Sequence, residues 1–92
     1  MTAPLGVHSI LPSALKRFAI RDILSALAHP HGVEVDFPRE GIMAIGGTTT
    51  QGLPIVVLRD METGKVFHAQ KLEAKYQRLF HQTVWPREPK VD

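Results

Sequence analysis

Apolar and polar positions change rhythm along this chain of 92 residues. Near the start the rhythm is helical. In "SILPSALKRF" Leu11, Leu15 and Phe18 recur at helical spacing, Pro12 suits a first turn, and Ser9 is placed to cap it. In "RDILSALAHP" Ile23, Leu24 and Leu27 mark an apolar face, and Pro30 with Gly32 ends it. The pattern predicts two short helices bent at Ala19–Ile20, or one continuous helix.

After Gly32 the rhythm shortens to a period of two. "VEVDF" alternates as a half-buried strand does, "IMAIGG" is apolar throughout and reads as more central, and "LPIVVLRD" is the most β-branched segment. Pro54 fits the beginning of that strand and not its middle. "KVFHAQ" is a fourth strand, with Phe67 and His68 expected on opposite sides. "PREG", "GGTTTQG" and "METG" are the connecting turns. "KLEAKYQRLFHQ" predicts a closing helix with Leu72, Tyr76, Leu79 and Phe80 buried. The expected fold is therefore α+β: N-terminal helical segments, a four-stranded antiparallel meander, and a C-terminal helix, with the helices on one face of the sheet. One domain is expected over residues 1–82. Residues 83–92, "TVWPREPKVD", are a proline-rich charged tail in which Trp85 is the candidate anchor.

Composition narrows the function classes. There is no cysteine, which removes disulfides and cysteine chemistry. No apolar run is long enough for a membrane span, and "MTAPLGVHSI" lacks the features of a secretory leader, so a cytoplasmic protein is expected. The net charge of +2 is modest, but it is unevenly placed. Met1 to Arg21 holds Lys16, Arg17 and Arg21 with no acid; Lys65 to His81 holds four cations and one acid. Solvated faces account for this, and so does an anionic partner.

The candidate chemistry sits where the last strand meets the closing helix. Lys71, Lys75 and Arg78 fall at i, i+4 and i+7, a like-charged stripe that disfavours a helix slightly and favours an anion. His68 stands at the junction. His29–Pro30–His31 is a close histidine pair without a third ligand at diagnostic spacing, so no metal is expected. "GGTTTQG" lacks the lysine and following helix of a phosphate loop. Asp60 and Glu62 read as turn residues.

The run from Ser13 to Phe80 resembles small bacterial toxins of the BrnT kind, within the RelE/ParE-like superfamily. The resemblance lies in the order and spacing of Gly52, Val56, Val57, Gly64, His68, Ala69, Lys75, Tyr76 and Leu79. It implies the toxin of a type II toxin–antitoxin pair: a ribonuclease acting on messenger RNA, with or without the ribosome, using no metal or other cofactor. Its expected partner is a cognate antitoxin, a small DNA-binding protein. His68 would be the acid or base, Lys71, Lys75 and Arg78 would stabilise phosphate charge, and Tyr76 is a further catalytic candidate. Lys16, Arg17 and Arg59 would bind the RNA backbone. The alternative is a non-enzymatic binding protein, such as a phage- or plasmid-encoded inhibitor, using the same polarised surface.

Overall fold

The computed structural model describes residues 10–80. Ser9, His8, His81, Trp85 and the tail lie outside the described residues. A 3-10 turn at Pro12–Leu15 leads to helix α1 (Ile20–Ala28). Four strands follow, β1 (Gly32–Val35), β2 (Ile42–Thr48), β3 (Pro54–Asp60) and β4 (Val66–Lys71), and then a 3-10 segment at Ala74–Phe80. The strands form one antiparallel sheet in chain order, a meander. The fold is α+β, as the periodicity predicts.

The helical segments do not share one face. α1 and the first turn bring Ile23, Ala26 and Ala14 onto Ile45, Ile55, Val57, Val66 and Ala69. The closing segment brings Tyr76 and Leu79 onto Ile42, Ala44, Val56 and Leu58 on the opposite face. A strand covered on both sides needs apolar residues at every position, not at every second one. That is why "IMAI" and "IVVL" read as continuous apolar runs. Ile55, Val56 and Val57 are each fully buried, yet they point alternately to the two cores.

Close packing on both faces depends on glycine. Gly46 and Gly47 are not part of a hairpin loop; both lie in β2. A Cβ on Gly46 would meet the Phe80 ring at 2.8 Å, and one on Gly47 would meet the backbone of Ala26. Gly32, paired with Gly46 across the strands, lies directly beneath the Leu79 carbonyl. Missing side chains thus let the closing segment settle on one face and α1 on the other.

The first predicted helix shrinks to a single turn. Ile10 forms a parallel bridge to Val66, and the Leu11 N–H donates to the Val66 carbonyl at 2.8 Å. This chain stretch is therefore extended until Pro12, as a residue before proline prefers. The bridge also covers the outer edge of β4, where Ser13 Oγ donates to the Phe67 carbonyl at 2.6 Å.

The polar run after β2 ties α1 to the sheet. Ser25 Oγ donates to the Thr48 carbonyl, and the buried Thr49 Oγ1 accepts from the N–H groups of Gln51 and Leu53. Thr50 donates to Asp22 through both its N–H and its hydroxyl. These bonds hold the Asp22 carboxyl below the usual aspartate range.

Candidate functional site

The closing segment is not the α-helix that the spacing of its apolar residues predicts. β4 runs on to Lys71, the Leu72 N–H donates to the Pro54 carbonyl, and the helical segment begins only at Ala74. It is a 3-10 segment, with the Tyr76 N–H donating to the Glu73 carbonyl at 2.9 Å. Three residues complete a turn, so Tyr76 and Leu79 stack as buried anchors, and Lys75 and Arg78 follow one another on an exposed side. The stripe of Lys71, Lys75 and Arg78 does not form.

Strand register decides where the rest stand. Leu58 pairs with His68 and Arg59 with Val66, so Phe67 is an extra residue, a β-bulge. The bulge undoes the expected opposition of Phe67 and His68. Phe67 packs on the core beneath the closing segment, and His68 faces the same way, opposite Leu58 of that core. His68 Nε2 lies 2.9 Å from Gln70 Oε1. Lys71 pairs with Ile55, a residue of the other core, so it projects to the α1 face and away from His68.

Glu34, Ala44, Leu58 and His68 pair successively across the sheet, placing Glu34 and His68 on one rank at its two edges. Three strand spacings separate them, about 14 Å. Arg78 reaches the Glu34 edge. Its Nη2 donates to Oε2 at 2.9 Å, and its Nε stands 2.9 Å from Oε1. The guanidinium also covers the Phe37 ring. Glu34 and Phe37 escape a sequence reading, because an acid in an alternating strand looks like a solvated face.

Tyr76 is the largest fully buried side chain and is 1% exposed. Burial first, and then the charge of Glu73, pushes its hydroxyl pKa up, which disfavours a tyrosinate base. Lys75 Nζ sits 5.2 Å from the centre of the Tyr76 ring. Arg59 is committed elsewhere: its Nε donates to the Gly64 carbonyl at 3.0 Å, across the β3–β4 turn. Asp60 Oδ1 accepts from the N–H groups of Glu62 and Thr63 in that same turn, which is a structural task. Lys16 and Arg17 are exposed, and they follow the turn that lies along the edge of β4.

His29 is exposed at the end of α1, whereas His31 is half-buried with its ring edge-on to Phe80 at 4.8 Å. Desolvation lowers the His31 pKa. Among the described residues no group of three or more His, Asp or Glu is arranged to hold a metal ion. No helix among them is long and apolar enough to cross a membrane.

The register of β4 therefore sets His68 on the side of the sheet that carries Lys75, Tyr76 and Arg78. It leaves Lys71 and Arg59 outside that group. No protein-family model, characterised protein or solved structure matches this chain.

Proposed function

We propose that this chain is the toxin of a type II toxin–antitoxin pair, of the RelE/BrnT-like kind, acting as a metal-independent ribonuclease on messenger RNA. The observation that carries the reading is the bulge at Phe67. Beside it His68, opposite Leu58, stands on the face crossed by the segment that bears Lys75 and Arg78. The order and spacing of the β4 and closing-segment residues support the same assignment.

In this reading Gln70 Oε1 accepts from His68 Nε2, which fixes the ring and leaves Nδ1 to take a proton. Nδ1 removes the proton of the ribose 2′-hydroxyl. The 2′-oxygen attacks the adjacent phosphorus, the bond to the 5′-oxygen breaks, and the leaving oxygen takes up a proton from solvent water. The products are a 2′,3′-cyclic phosphate and a 5′-hydroxyl. The closing segment leaves β4 and ends over β1 and β2, so Lys75 stands early on that path and Arg78 late. Lys75 is the cation assigned to the reacting phosphate. Arg78, at the far edge, holds a flanking phosphate and does not stabilise the transition state. Tyr76 anchors the segment. The partner of the pair is an antitoxin that covers this face.

The test is induction without a partner, alongside digestion of purified RNA in excess chelator. Growth arrest and 2′,3′-cyclic ends are expected, and His68→Ala should abolish both. Cleavage that survives His68→Ala, or that chelator removes, overturns the mechanism.

One observation favours a second reading, a binding protein without chemistry: His68 and Arg78 occupy opposite edges of the sheet. Such a protein would arrest growth by stoichiometric capture of its target. It would leave RNA intact and would be indifferent to His68→Ala.

A further inference from the structure

Arg78 is the one lysine or arginine among the described residues held in an ion pair. Its guanidinium lies 4.4 Å from the Phe37 ring centre, and Phe37 meets the Tyr76 ring edge-on with centres 5.5 Å apart. Tyr76 is anchored in the core, so a chain of rings fixes the guanidinium from behind. Its Nη2 donates to Glu34 Oε2 at 2.9 Å, and its Nε stands 2.9 Å from Oε1, a buried oxygen that makes no hydrogen bond. Carboxylate and phosphate share this forked geometry. The pair is not sealed from water: the Arg78 side chain is 55% exposed and that of Glu34 30%. An exposed pair of this kind is weakly held and open to competition.

We propose that Glu34 is the internal occupant of an anion site on Arg78, and that an RNA phosphate displaces it. This rests on the RNA reading above. Glu34 then has two effects. It keeps the guanidinium oriented while the site is free, and it weakens binding because every incoming phosphate must displace a tethered carboxylate. Glu34 thus sets the affinity threshold of the face. A strand crossing the sheet from Arg78 toward His68 must open the pair first.

The experiment measures binding of a short labelled 2′-O-methyl RNA, whose blocked 2′-oxygen prevents cleavage, by fluorescence anisotropy over a salt series. Glu34→Gln should tighten binding at low salt by roughly two- to fivefold, the range an exposed pair represents. It should also steepen the dependence of log affinity on log salt, because in the wild type the displaced carboxylate takes back a cation and lowers the net release of ions. Glu34→Ala should behave alike, and urea midpoints check that both variants fold. Glu40→Gln removes the same charge from an exposed turn residue and should not steepen the salt dependence. Adding Arg78→Gln to Glu34→Gln should erase the gain. Equal gains from Glu34→Gln and Glu40→Gln, or a gain that persists without Arg78, overturn the proposal while the RNA reading stands. If neither the wild type nor any variant binds the RNA, the RNA reading falls and this inference falls with it.

Discussion

Gly46 and Gly47 are neighbours in the chain, yet a methyl group on each should have unequal consequences. A Cβ on Gly47 would stand 2.5 Å from the Ala26 carbonyl oxygen, 2.7 Å from its Cα and 2.8 Å from its Cβ. Two of these are backbone atoms of α1, which no side-chain rotation can move aside. The helix must shift away from the sheet, and Ile23 and Ala26, both fully buried, shift with it. Overpacking of this type costs about 1–3 kcal/mol. Losing a glycine also restricts the unfolded chain, which returns about 0.4–1 kcal/mol. The net expectation for Gly47→Ala is about 1–2 kcal/mol of destabilisation. For a domain this size that is a fall in Tm on the order of 5–15 °C. A Cβ on Gly46 instead meets the edge of the Phe80 ring at 2.8 Å and Leu79 Cβ at 3.0 Å. A side chain that can turn takes most of that contact, so Gly46→Ala should cost less than Gly47→Ala. Urea and thermal unfolding of the two variants, followed by circular dichroism, make the comparison. A Gly47→Ala variant as stable as the wild type, or costs in the reverse order, would refute the two-faced packing argument.

The remaining expectations concern protons and a displaced cation. The Thr50 hydrogen bonds lower the folded-state pKa of Asp22, so their contribution is present above the unfolded value near 3.8 and is lost as pH falls through the lower folded value. Asp22→Asn should narrow the gap to wild type in urea midpoint below about pH 4, and a gap that widens there would contradict the assignment. Burial raises the pKa of Tyr76 above 10.0, so the unfolded chain ionises first and stability falls as pH rises beyond that value. Tyr76→Phe should flatten this alkaline slope; an unchanged slope would place its origin elsewhere. Arg59→Lys removes the Nε–H donated to Gly64 and should cost about 1 kcal/mol in chemical unfolding. It should leave the affinity for uncleavable RNA unchanged, and a clear loss of affinity would return Arg59 to the RNA surface.

The strands were legible because their signal is redundant. β2 and β3 are buried on both faces, and an unbroken apolar run marks such a strand even when the partners above and below it are unknown. Pro54 at the first position of β3 and Asp60 at its last, where the turn begins, obey local rules that need no tertiary knowledge. The number of covered faces was legible in principle from the same runs, but one-sided packing was the simpler expectation for a short chain. The form of the closing segment is not legible, because Leu72, Tyr76, Leu79 and Phe80 fit a helix whether its turn takes three residues or four. Backbone pairing beyond Gln70 decides that Lys71 is strand, and no side chain announces it.

The bulge is the deeper case, because it decides which side chains share the face of the closing segment. "KVFHAQ" offers two readings of its alternation, with either Phe67 or His68 toward the closing segment. A regular ladder permits only one of them. The structure takes neither. Val66 keeps its place in the α1 core opposite Arg59, Ala69 keeps its place opposite Val57, and the odd residue between them is absorbed at Phe67. Both apolar anchors are satisfied only if the ladder slips once, and that slip adds Phe67 to the face of Tyr76 and Arg78, where His68 stands next to Ala69 in the regular ladder. A replacement that restores regular pairing would have to give up the burial of Val66 or of Ala69. The face on which the candidate acid–base group stands is therefore set by Ala69, its neighbour in the regular ladder and a core residue of the α1 side. Changes that turn Ala69 out of that core should move activity as well as stability.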